Sequence, residues 1–162
     1  MPRQILLAVL LLWGAAAHAD NHLACAAAGG SYLTGSVVQT ARFAHGQFRK
    51  GIELSHSHLM LVADQDGRRY DVAIDNVFAS GFDAHDRGVP PAIAAIRLHD
   101  RLELCGQLYD RGVGIHFVHT NCGAAPTQTH PDGWIKTLAS DGRPGANLEA
   151  NPAYCGLFQR HR

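Results

Sequence analysis

The chain has 162 residues, 14 basic and 14 acidic side chains, and a formal net charge of zero. Near-neutrality excludes a broad basic surface that coats nucleic acid through phosphate neutralisation. The length fits one domain with a core of its own.

Residues 1–19 read as a cleavable export signal. Arg3 is the positive start, Ile5 to Trp13 the apolar run, and Ala17-His18-Ala19 the small-x-small cleavage site. The run is far below the roughly 20 residues a spanning helix needs. The expected protein is therefore periplasmic or secreted, with no transmembrane segment in its mature part, and monomeric. Residues 20–34 form an N-terminal segment, 35–138 the main domain, and 139–162 a tail packed on it.

Tyr32 to Gln39 reads as a strand, and the polar stretch 40–51 as a loop or a bent strand. Leu59 to Ala63 is a buried apolar run. Asp64-Gln65-Asp66-Gly67 is a turn, and Tyr70 to Ile74 alternates, so this pair is a hairpin. Residues 75–90 are irregular, and Ala92 to Ile96 can form one helical turn. Arg101 to Tyr109 alternates, Asp110-Arg111-Gly112 turns, and Val113 to Thr120 returns. Trp134 to Leu138 is a further ordered element. The result is a mainly β fold: a small five-stranded OB-like barrel with long loops, little helix and two disulfides.

All four cysteines, Cys25, Cys105, Cys122 and Cys155, follow the signal. Four cysteines allow three pairings. Cys25–Cys155 with Cys105–Cys122 is the expected set, since the first bond would tie down two chain ends. A turn at Arg111-Gly112 puts Cys105 opposite Val118. That leaves Cys122 about 13 Å along the strand, beyond disulfide reach unless the chain folds back. Cys25–Cys122 stays open.

Eleven histidines are many for this length. On a strand His56 and His58 face the same way. His116 and His119 face opposite ways, and converge only through a bulge or if His119 lies past the strand end. His58, Asn76, His116, His119, His130 and Trp134 are the candidate binding residues. His58, His116, His119 and His130 are also candidate ligands for a divalent metal such as zinc, since neutral imidazole is the commonest metal ligand. The same imidazoles could serve general acid–base catalysis. Asp75-Asn76 reads first as a turn start, and only second as a source of a catalytic carboxylate.

Several stretches together resemble a family of small exported bacterial proteins of uncharacterised function with an OB-like barrel. They are Ser57-His58-Leu59, Asp75-Asn76, Leu98 to Glu103 before Gly106, Gly114 to His119, and His130 to Lys136. The resemblance implies the barrel and the recurrence of His58, His116, His119 and His130 as a set, and no activity. Cys105 and Cys122 depart from the family pattern, which supports pairing them. The 77–97 insertion and the tail also depart from it, and bear on whether the barrel groove is open.

Three functions follow. The first is an exported OB-like binding module with a histidine-lined site for a small ligand or a protein, rather than bulk nucleic acid. The second is a divalent-metal-dependent hydrolase of phosphodiesterase or nuclease type. The third is a periplasmic metal-handling or pH-sensing protein.

Overall fold

The computed structural model describes residues 21–158, so the export signal lies outside the described residues. A short helical segment covers 21–27. Six strands follow: β1 (Ser31–Arg49), β2 (Ile52–Ala63), β3 (Arg69–Asp75), β4 (Arg101–Leu108), β5 (Gly114–His116) and β6 (Trp134–Leu138). A 3-10 turn at Asn76–Phe78 and a four-residue helix at Pro91–Ala94 lie between β3 and β4.

The sheet order is β1-β2-β3-β5-β4-β6, with β1 also paired to β4. Five strands thus close a ring, and β6 adds to the outer edge of β4 along Arg101 to Cys105. The one parallel contact is β3 with β5. This is the OB-like barrel expected from the alternating segments.

β1 makes closure possible. Its first part pairs with β2 and with β4, from Ser31 opposite Gly106 to Ser36 opposite Arg101. Three register shifts, at Val37/Gln39, Gln39/Arg42 and Ala44/Gln47, bend the rest. Such bulges increase twist and bend a strand. The polar stretch 40–51 is therefore a bent strand and its turn.

β2 shows how sequence fixes the faces. Ser55, Ser57, Leu59, Leu61 and Ala63 are buried, while His56, His58, Met60 and Val62 are partly exposed. The period of two sends one set into the core and the other outward. The inward set meets Val37, Val72, Ile74, Leu102, Leu104, Ile115 and Ile135, all fully buried. Removing this much apolar surface from water is the main favourable term in folding.

The disulfides are Cys25–Cys105 and Cys122–Cys155. This corrects the expected pairs Cys25–Cys155 and Cys105–Cys122. The register foreseen from the Arg111-Gly112 turn is the one observed, with Gln107 opposite His116 and Leu108 opposite Ile115. It carries Cys122 away from Cys105. Cys105 instead faces the N-terminal segment, and the tail crosses to reach Cys122. Among the described residues no cysteine is free, and no helix is long and apolar enough to cross a membrane.

Candidate functional site: a histidine face and an aromatic cleft

The outward side chains of β2 and β3 meet in pairs. His56 lies opposite Asp75, and His58 opposite Ala73. His56 Nε2 is 2.8 Å from Asp75 Oδ1. His58 Nδ1 donates to both Asp71 oxygens, at 3.0 and 2.9 Å. The Tyr109 hydroxyl donates to Asp71 Oδ2 at 2.6 Å. Tyr109 reaches it by lying over Gly114, where a Cβ would come within 2.3 Å of the ring. Each carboxylate fixes one nitrogen of its histidine as a donor and leaves the other, Nδ1 of His56 and Nε2 of His58, for a ligand.

β5 ends at His116, and Phe117 has φ of 52°. A left-handed conformation costs a bulky residue roughly 1–2 kcal/mol, so packing must hold it there. The reversal takes His119 out of strand alternation, which is the strand-end condition for His116 and His119 to converge. His119 is 8% exposed, with Nε2 3.1 Å from Asp75 Oδ2 and Nδ1 2.7 Å from the Thr120 carbonyl. Its ring stacks on Phe78 at 4.0 Å. Both nitrogens face oxygen atoms of the protein, so neither is directed toward a site a metal could share with the other histidines.

Phe117 occupies the middle of the cluster. Its ring centroid is 4.2 Å from that of His116, 4.7 Å from His130 and 5.9 Å from His119. Three of the four proposed zinc ligands thus surround a phenyl ring. Among the described residues no group of three or more His, Cys, Asp or Glu side chains is placed to hold a metal ion. The set His58, His116, His119 and His130 does not fit a metal centre.

Asp75 is the hub. Burial would raise its pKa, but hydrogen bonds from His119 and His56 outweigh this and hold the carboxyl below its ordinary range. The Asp75 hydrogen bond raises His56, against the opposing effect of burial. Burial lowers His116, with Asp75 and Asp110 pulling the other way. Among the described residues neither ring nitrogen of His116 has a hydrogen-bond partner, and the ring is held between Tyr109 and Phe117. It is a neutral imidazole with a free acceptor near pH 7.

These groups line two adjoining depressions. One, of about 350 Å³, is the histidine face, formed by His56, His58, Ala73, Asp75, Tyr109, His116 and Phe117. The other, of about 670 Å³, is a cleft between the 117–131 segment and the tail; its walls include Phe78, Phe117 and Phe158. Asp75 and Phe117 belong to both. The tail walls the cleft through Cys155, Leu157 and Phe158 but leaves the histidine face open.

Of the six candidate binding residues, His58 and His116 lie on the face, and His119 and His130 line the cleft. Two belong elsewhere. Asn76 is fully buried; it accepts from Ser57 Oγ at 2.7 Å and donates to Ser55 Oγ at 3.0 Å, locking the β2–β3 end. Trp134 donates to buried Glu103 at 3.2 Å, beside the Tyr32 hydroxyl, on the β1–β4–β6 side of the barrel. Sequence reasoning missed Asp71, Tyr109 and Phe117, and ranked Asp75 as a turn residue. The β2–β3 hairpin register carried the signal for both aspartates; none existed for the Phe117 reversal.

Comparison with protein-family models, curated proteins and solved structures finds no match. The class defined by fold and site is therefore a disulfide-linked OB-like barrel with a histidine–aspartate face.

Proposed function

We propose that the chain is an exported binding module whose ligand, a small molecule or a protein segment, lies on the histidine face. The observation that carries this reading is the pinned imidazole set: Asp75 and Asp71 orient His56 and His58, leaving a nitrogen of each, and the unpartnered His116, to recognise a ligand. OB barrels bind ligands on one face and its loops. Rigid, pre-oriented polar groups lower the ordering cost of binding. The neutral overall charge argues against bulk nucleic acid as the partner. Two disulfides fit an oxidising compartment, which supports export.

The test uses the oxidised mature chain, labelled at histidine carbons, titrated with a chito-oligosaccharide, a tetrapeptide and a dinucleotide. The expected result is that one class saturably shifts the His56, His58 and His116 ring signals. The same ligand raises Tm without added metal, by mass action on the native state. His58→Ala and His116→Ala weaken binding at least tenfold. No shift with any class, or shifts confined to the β1–β4–β6 side, refutes the reading.

The opposite pKa displacements of His56 and His116 across one depression favour a second reading, metal-independent hydrolysis. Pairs driven apart in this way suit acid and base roles. Attacking water would give a proton to His116 Nε2 or Nδ1 as its oxygen bonds the electrophile, and protonated His56 would give one to the leaving oxygen. A bell-shaped kcat/KM profile, with turnover lost in His116→Ala, would support this over simple binding.

A further inference from the structure

We infer that the aromatic cleft is a second binding site, and that it takes a planar aromatic carboxylate. The inference rests on the reading of the chain as a binding module, but its polar recognition residues, Arg49 and Asn121, lie outside the histidine face.

The walls select a flat ring. Phe78 is buried at the base of the cleft, stacked on His119 at 4.0 Å, and Phe117 is held by His116 and His130 at 4.2 and 4.7 Å. Phe158 closes the third side, 5.2 Å from Phe78. Aromatic walls held by such stacks favour an offset-stacked or edge-on ring over an aliphatic chain. A volume of about 670 Å³ lies within the range of small-molecule pockets.

The polar groups select what the ring carries. Asn121 lines the cleft, and its Nδ2 is shielded from solvent without a hydrogen-bond partner among the described residues. A buried donor left unpaired is costly, and a turn of the Asn121 side chain toward the cleft would bring it to an acceptor oxygen on a ligand. Arg49 stands on the same wall with its guanidinium over the Phe158 ring, 5.2 Å from the centroid. Among the described residues its polar partner is the Leu157 carbonyl, at 3.4 Å. Its other N–H groups suit the two oxygens of a carboxylate. Asp75, the acid bordering the cleft, has both oxygens engaged by His56 and His119, which turns its acceptor atoms away from a ligand.

The probe is indole-3-carboxylate, titrated calorimetrically and by amide chemical-shift mapping into the oxidised mature chain. Indole and cyclohexanecarboxylate are the controls for ring and charge. The expected result is saturable one-to-one binding of indole-3-carboxylate, mapping to Asn121, Leu157 and Phe158. Cyclohexanecarboxylate binds at least tenfold more weakly. Arg49→Met weakens the carboxylate at least tenfold and leaves indole unchanged, and Asn121→Ala weakens indole-3-carboxylate about tenfold. His58→Ala leaves it unchanged, which separates this site from the histidine face. The inference is overturned if indole-3-carboxylate does not bind, if its shifts map to the histidine face, or if a folded Arg49→Met binds it as wild type does. If a variant fails to fold, the wild-type shift map and the two control ligands decide. Cleft binding without any ligand for the histidine face would refute only the earlier reading, and the converse would refute only this one.

Discussion

Asp75 holds two imidazoles with one carboxylate, His56 at 2.8 Å and His119 at 3.1 Å. Its pKa is depressed on folding, so its stabilising share is complete above the unfolded value near 4 and is lost as pH falls below it. His56 is raised, so its share is complete below about 6.5 and is lost as pH climbs past that value. His116 is lowered and runs the other way: its share is present above about 6.5 and fades as pH falls. Urea midpoints should therefore drop steeply below pH 4, while the two histidine trends oppose each other between pH 6 and 8. Asp75→Asn should cost about 2–3 kcal/mol at pH 6 and flatten the acid limb. An unchanged acid limb in that variant would show that Asp75 is not its source. The His56–Asp75 pair was legible from residues alone: counting outward from the Asp64–Gly67 turn puts residue 56 opposite 75. The His119–Asp75 pair was not, because it depends on the left-handed Phe117, and phenylalanine gives no advance sign of that conformation.

At the scale of elements, β2 and β3 supply fixed spacing, and the β4–β5 hairpin brings Tyr109 and His116 up to them. Gly114 is the junction. A side chain there would strike the Tyr109 ring at 2.3 Å and push the hydroxyl from Asp71. Gly114→Val should cost about 1–3 kcal/mol by overpacking. Burial, then the Asp71 hydrogen bond, raise the Tyr109 phenol above its ordinary value. An ultraviolet pH titration should show one late-ionising tyrosine return toward pH 10 in this variant, and a wild-type titration curve would contradict the packing described. Alternation made the strands readable, and the turn at Arg111-Gly112 fixed their register. The bend of β1 was only half readable: Gly46 and Gly51 signalled irregularity, but the three register shifts answer to ring closure, a constraint no local window contains.

At the scale of the whole molecule, the two disulfides divide the labour. Cys25–Cys105 spans 80 residues and braces the barrel; Cys122–Cys155 spans 33 and holds the tail over the aromatic cleft. The barrel was legible because strand count and pattern fix it. The pairing of cysteines was not, since it depends on where the tail crosses, and residues 139–158 carry little periodicity. In the chain-entropy description, losing the shorter loop costs about 4 kcal/mol. The Cys122→Ser/Cys155→Ser double variant should lower Tm accordingly and expose the buried Phe78 to solvent quenchers or cleft probes, while His56 and His58 keep their ring signals. Equal disturbance of the two regions would argue that they are one unit. The two cross-links also follow one another along the chain without overlap, so the oxidised polypeptide is two covalent rings on one string. Residues 106–121 are that string, and they carry His116, Phe117 and His119. A nick inside either ring leaves a single covalent body. A cut at a cleavage sequence inserted in the exposed Arg111-Gly112 turn should instead release two separate pieces on a denaturing, non-reducing gel. Nested bonds, Cys25–Cys155 around Cys105–Cys122, would have kept them joined. The stretch that joins the two rings, where one broken peptide bond parts them, thus carries His116, Phe117 and His119 of the candidate site.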